Sequence, residues 1–189
     1  VYGVGYMGNN FELKSSCNGK KCPIYDTWLR MMERCYSKKV HSRFPSYIGC
    51  YVSDDFKDYS KWREWYDKYQ YKQEGWQLDK DLLVKGNKIY SEYTCVFLPK
   101  EINSMLTHRK KSKGDYPIGV MLEKGKFRAM ICTNGIGRRL GSFDSVTEAF
   151  NAYKQAKESY IKEVADRWKA RIDPRAYEAL YNYTVDIDD

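Results

Sequence analysis

Histidine is scarce. The 189 residues contain two, His41 and His108, too few for a histidine-built metal centre. No apolar run approaches the roughly 20 residues that a bilayer span requires, so neither a membrane helix nor a secretory signal peptide is expected. Six cysteines at irregular spacing are too few and too scattered for a disulfide-dense secreted scaffold, which points to reduced thiols in a cytosol. Acidic charge is also in deficit, with 25 Asp and Glu against 33 Lys and Arg, for a formal charge of +8 and a preference for polyanionic partners. What is abundant is aromatic, 18 tyrosines and 5 tryptophans in a chain that is 42% hydrophobic, enough to build a folded core.

The positive excess is local. Residues 1–50 carry 8 basic groups against 3 acidic, residues 100–113 carry 5 against 1, and the rest is near balance. The run from His108 through Arg109, Lys110, Lys111 and Lys113 to Gly114 lacks apolar periodicity and reads as a basic linker over 109–114. The expected organisation is therefore a domain over 1–108, the linker, a second domain over 115–172, and a short helix with an acidic tail over 173–189. The length suits two small α+β domains.

Apolar positions indicate the elements. The opening Val1 to Lys14 alternates loosely and breaks at Gly8-Asn9-Asn10, suggesting a short hairpin. Ile24, Trp28, Met31, Met32 and Cys35 recur at three and four residues and predict an amphipathic helix ending before Ser37. A second helix follows Asp54, and its stripe of Tyr59, Trp62, Tyr66 and Tyr69 with Trp65 beside it reads as core rather than as a base-stacking platform. Next come a strand over 77–84, a Gly86-Asn87 turn, a strand over 94–98 and a helix from Pro99 to Leu106. Three more strands, 118–122, 127–133 and 138–142, are punctuated by Lys124-Gly125 and Asn134-Gly135. A long helix then begins at the capping box Ser145-Val-Thr-Glu148. Ala149, Ala152, Tyr153, Ala156, Tyr160, Val164 and Trp168 form its buried stripe, and Asp173-Pro174 opens a last short helix to Tyr181.

Two resemblances follow from these segments. Tyr116-Pro-Ile-Gly-Val120, Gly125-Lys-Phe-Arg-Ala-Met-Ile131, Leu140-Gly-Ser-Phe-Asp144 and Glu148-Ala-Phe-Asn-Ala-Tyr153 resemble the APETALA2-type DNA-binding domain. That resemblance implies a three-stranded antiparallel sheet packed on one helix, with the exposed sheet face entering the DNA major groove. Alternation along the middle strand puts Lys126, Arg128, Met130 and Cys132 outward and Phe127, Ala129 and Ile131 inward, and Arg139 outward on the third strand. Plant members carry base-reading arginines in the first strand. Here Met121 and Glu123 stand there, which implies phosphate contact through Lys126, Arg128 and Arg139 rather than base readout.

The second set is Trp28-Leu-Arg-Met-Met-Glu-Arg-Cys-Tyr36, Tyr47-Ile-Gly-Cys50, Trp76-Gln-Leu-Asp-Lys-Asp81, Gly86-Asn-Lys-Ile-Tyr90, Thr94-Cys95 and Asn103. It resembles the HNH-type homing-endonuclease-like proteins of phages, and implies an HNH-like strand-turn-strand-helix unit in the cytoplasm of an infected bacterial host. In such a site a divalent cation is held between a hairpin and a helix, and a histidine deprotonates the attacking water. Lys80 occupies the histidine position, Thr94 the middle asparagine position with Asn87 as a substitute from the turn, and Asn103 the last. The resemblance thus implies Asp79, Lys80 and Asn103 as catalytic residues, and Asp79, Asp81 and Asn103 as oxygen ligands to Mg2+. Lysine is protonated at its ordinary pKa and makes a poor base, so the attacking base stays unassigned. Ordinary structural roles are open to the same residues: solvated strand ends for the two aspartates, a turn for Asn87 and a cap for Asn103.

Cys17-x4-Cys22 with Cys35 and Cys50 is the set from which a structural Zn2+ site could be drawn, although zinc pairs are usually tighter and buried free thiols are the plainer expectation. The functional expectation is a phage-type protein that grips double-stranded DNA along Lys20, Lys21, Arg30, Arg34, Arg109, Lys110, Lys111, Lys113 and the C-terminal sheet, and acts as a magnesium-dependent endonuclease with an atypical site. The alternative is a catalytically inactive DNA-binding regulator, or a phage protein that binds a host protein.

Overall fold

A computed structural model describes residues 1–8, 15–17, 19–106 and 115–188, with the side chains of Cys17, Lys20 and Lys21 left out. The fold is mixed α+β and divides into two compact units, Val1–Leu98 and Pro99–Asp189. The 9–14 half of the expected opening hairpin and the basic linker, with His108, Arg109, Lys110, Lys111 and Lys113, lie outside the described residues.

In the first unit, β1 (Ser16–Cys17) pairs with β2 (Lys20–Lys21), and α1 (Pro23–Tyr36) follows with proline in its first turn. Trp28, Met31, Met32 and Cys35 of α1 are buried at the three-and-four spacing expected for an amphipathic helix. The short α2 (Lys38–Arg43) leads through a 3-10 turn, Pro45–Tyr47, to β3 (Tyr51–Val52). Beyond it the expected single helix is two, α3 (Asp54–Lys57) and α4 (Tyr59–Lys68). The break has a local cause. Tyr6 bridges to this point, its N–H donating to Lys57 O at 3.1 Å and its carbonyl accepting from Tyr59 N at 2.9 Å, while the Asp58 carboxylate caps a fresh helix by accepting from Ser60 N at 2.8 Å. The aromatic stripe is core, as its periodicity implied. Tyr59 and Trp62 are fully buried and Tyr69 nearly so, packed with Trp28, Phe56 and Phe97. Trp28 Nε1 donates to Phe56 O at 2.7 Å, so the indole of α1 is satisfied where it crosses α3.

The centre of the unit departs from a simple hairpin. β4 is only Gln77–Asp79, and it pairs antiparallel with β6 (Val96–Leu98). Between them β5 (Ile89–Tyr90) pairs parallel with β3, so the connection leaves one small sheet, joins another and returns. The strand expected to reach Val84 stops at Asp79 because that carboxylate accepts from the N–H groups of Asp81 at 2.9 Å and Leu82 at 2.8 Å, a turn that competes with the ladder.

The second unit opens with α5 (Lys100–Leu106), followed by the antiparallel sheet β7 (Val120–Glu123), β8 (Lys126–Thr133) and β9 (Ile136–Phe143) in that order. Both hairpins turn where the sequence indicated, with positive φ at Lys124 (51°) and Gly125 (77°) and at Asn134 (52°) and Gly135 (77°). Helix α6 (Val146–Trp168) packs on the sheet, its Ser145 hydroxyl accepting from Glu148 N at 3.2 Å. Gly119 is at φ +79°, and a Cβ there would stand 2.1 Å from the Tyr153 ring, so this close approach of strand and helix needs glycine. α7 (Pro174–Tyr181) is capped by Asp173, as Asp-Pro suggested.

Helix α5 belongs with this unit rather than with the strand pair before it. Arg167 and Trp168 Nε1 reach Glu101 at 2.7 and 2.8 Å, and Lys157 Nζ donates to Met105 O at 2.8 Å. The segment expected as a polar tail is also fastened. Val185 is fully buried, with its N–H on Glu158 at 2.9 Å and its carbonyl on Lys154 at 2.8 Å.

Candidate nucleic-acid interface and the β4–β5 turn

The loop from Asp79 to Tyr90 is built around two side chains. Asn87 donates through Nδ2 to Lys80 O and to Ile89 O, both at 2.7 Å, and accepts at Oδ1 from Ile89 N at 3.1 Å, which clamps both ends of the loop. Lys80 is 5% exposed. Its ammonium donates to Asn87 O at 2.8 Å and to the Asp81 carboxylate, and lies 5.7 Å from the centre of the Tyr90 ring. Lys80 is thus a buried side chain held by a carbonyl, a carboxylate and a ring face, an arrangement that keeps it turned into the fold. Asp79 is part-buried, and burial pushes its carboxyl above its ordinary pKa against the two backbone donors that hold it. Asp81 is exposed.

Thr94, at the middle asparagine position, serves the turn: its hydroxyl donates to Ile89 O at 2.8 Å and accepts from Ser91 N at 3.2 Å. Asn103 lies on α5 in the second unit, whereas Asp79, Lys80 and Asp81 belong to the first. Among the described residues, no three or more of His, Cys, Asp and Glu are grouped so as to hold a metal ion. Cys35 and Cys50 are buried in the aromatic core, where burial and each other's proximity push the Cys35 thiol up to about 12, and Cys22 is partly exposed. His41 Nε2 donates to Arg34 O at 2.9 Å on the far end of α1.

The basic residues fall into distinct environments. Arg30 is exposed but paired with Asp26 at 2.6 Å. Arg34 turns inward, its guanidinium 5.7 Å over the Tyr47 ring and 3.4 Å from Leu78 O. On the sheet, cross-strand register sets Glu123 beside Lys126, Met121 beside Arg128, and Arg139 beside Met130 on one face. Ala129 and Ile131 are buried on the opposite face as expected, while Phe127 at the strand end is only half-buried, edge-on to Tyr116 at 5.4 Å. Lys126 is exposed and paired with Asp144. Arg128 is mostly covered and spans Glu123 at 2.7 Å. Arg139 is exposed and, among the described residues, donates to the Ser142 hydroxyl, following a bulge at Ala129/Met130 that displaces β9 by one residue.

Sequence reasoning passed over the exposed cations Lys38, Lys39, Arg43 and Lys88. The signal that finds the first three is the absence of any Asp or Glu from Arg34 through Ser53; Lys88 is brought in only by the fold. No protein-family model matches the chain, and no curated protein or solved structure matches it. No helix among the described residues is long and apolar enough to cross a membrane.

Proposed function

We propose that the protein binds double-stranded DNA through the β7–β9 sheet, and that its N-terminal unit is an HNH-like scaffold whose active-site positions have been taken over by structural roles. One observation carries the binding half: a three-stranded antiparallel sheet, backed on one face by α6, offers Lys126, Arg128 and Arg139 on the other. A chain of formal charge +8 adds long-range attraction to any duplex that face meets. Arg139 is the contact of first rank, since Lys126 and Arg128 must exchange Asp144 and Glu123 for phosphate.

The non-catalytic half rests on Lys80. A general base must hold a lone pair toward the reacting water. The Lys80 amine is buried and turned into the fold, its hydrogen bonds committed to Asn87 O and the Asp81 carboxylate, and those bonds stabilise the loop instead. The test is direct. Labelled duplex should bind more weakly to Arg139→Ala than to the parent, and a salt slope near zero in the parent would sink the DNA reading. Supercoiled plasmid should survive incubation with parent and magnesium. Nicking that stops with chelator and with Asp79→Ala would establish the endonuclease reading in place of the scaffold.

A further inference from the structure

The cations of α3 and α4, and Arg30 of α1, are neutralised in place: Arg30 by Asp26, Lys57 by Asp54, Lys61 by Asp55, Arg63 by Asp67 and Lys68 by Glu64. The segment between these helices is built differently. From Arg34 through Ser53 there is no carboxylate, and Lys38, Lys39 and Arg43 of α2 stand exposed. Lys88 joins them from the residue before β5, its ammonium donating to Ser46 O at 2.8 Å. Interleaved with these charges are three large apolar side chains that the fold leaves outside, Phe44 at 51%, Ile48 at 58% and Tyr51 at 48% exposure.

These side chains sit on a pinned turn. Tyr47 N donates to Phe44 O at 3.1 Å, Ile48 N to Pro45 O at 3.0 Å and Cys50 N to Tyr47 O at 3.0 Å. Tyr51 N donates to Lys88 O at 2.9 Å, and Cys50 beside it is buried. The rings are therefore presented on ordered backbone, so a ligand that stacks on them pays little to order the platform. Arg43 already lies 5.6 Å from the centre of the Phe44 ring, in reach both of that face and of a phosphate beside it.

A segment that combines exposed cations and exposed ring faces with no carboxylate of its own calls for a partner that is negative and carries π-faces of its own. We propose that the α2–β3 turn, with Phe44 and Tyr51 as stacking rings, Ile48 as an apolar contact, and Lys38, Lys39, Arg43 and Lys88 as phosphate contacts, binds unpaired bases of a single-stranded nucleic acid. A duplex hides its base faces in its own stack, whereas a single strand offers one per nucleotide. The inference takes from the proposed function only the class of polymer, and it assigns a different form of it to a different surface.

The test compares a fluorescein-labelled thymidine oligonucleotide with a duplex of equal length by anisotropy. Phe44→Ala with Tyr51→Ala should lower oligonucleotide affinity roughly 10-fold or more. Duplex affinity and melting temperature should be unchanged, because both rings are exposed. Arg139→Ala should do the converse. Lys38→Gln, Lys39→Gln and Arg43→Gln together should make the salt slope of oligonucleotide binding shallower by roughly 0.7 for each phosphate that is no longer neutralised. An unchanged oligonucleotide affinity in the ring variant, or an unchanged slope in the charge variant, overturns the proposal. An equal loss on duplex and single strand also overturns it, since the patch would then touch phosphate alone. Failure of the parent to bind duplex, with the oligonucleotide results as expected, would remove the sheet reading and leave this one standing.

Discussion

Asn87 shows how one turn residue holds a loop. Its amide ties Lys80 O, Ile89 O and Ile89 N into one knot, and at about 1 kcal/mol for each hydrogen bond Asn87→Ala should cost the first unit about 2–3 kcal/mol, read from urea unfolding. Lys157 poses the opposite problem. It is 8% exposed with Met105 O as hydrogen-bond partner, and burial lowers its pKa from the ordinary 10.5. A cation whose folded pKa is depressed destabilises the fold below that pKa, and the penalty fades as pH rises toward the unfolded value. Stability of the parent should therefore gain on that of Lys157→Met as pH rises from neutrality toward 10.5, in chemical unfolding followed at several pH values. A constant difference between the two across that range would mean that folding leaves the Lys157 pKa unshifted.

At the level of elements, the sheet and its helix depend on a near-contact that only glycine permits. Gly119→Ala would place a Cβ inside the Tyr153 ring at positive φ, and should cost about 2–4 kcal/mol, measured as a fall in the melting temperature of the second unit. Ser145→Ala removes the cap at the start of α6 and should cost about 1 kcal/mol, a smaller shift by the same measurement. The contrast separates steric closeness from end effects within one element pair. These helices and hairpins were legible because each has a local cause: apolar spacing in α1 and α6, a cap at Ser145, and left-handed turns at Lys124-Gly125 and Asn134-Gly135. Strand β5 was not. Two residues pairing in parallel with a strand 38 positions earlier leave no periodicity to read.

For the whole molecule, the distribution of charge decides what salt does. If the sheet and the basic segments neutralise roughly 5–8 phosphates, the slope of log K against log salt for duplex should lie between about −4 and −7. Titration across a range of sodium chloride concentrations measures it. Basic and acidic groups balance over 114–189, so the contribution of the β7–β9 sheet must come from how its one open face is sorted.

What the sequence determined by itself was whatever depends on neighbours within a few residues: the amphipathic α1, the aromatic core stripe, the three-strand meander with its turns, the caps, and an α+β class of basic character. Tertiary structure alone decided which charges are available. Lys80 and Arg34 are as cationic in the sequence as Lys38 and Arg43, yet the first two are folded onto carbonyls and rings while the last two stand in water. Tertiary structure also assigned α5 to the second unit, since Glu101 finds its partners at Arg167 and Trp168, more than sixty positions away. The physical reason is common to both. Helices and turns are stabilised by contacts a few residues apart, whereas burial of a charge or the allegiance of a short helix is settled by groups that meet only when the chain has closed.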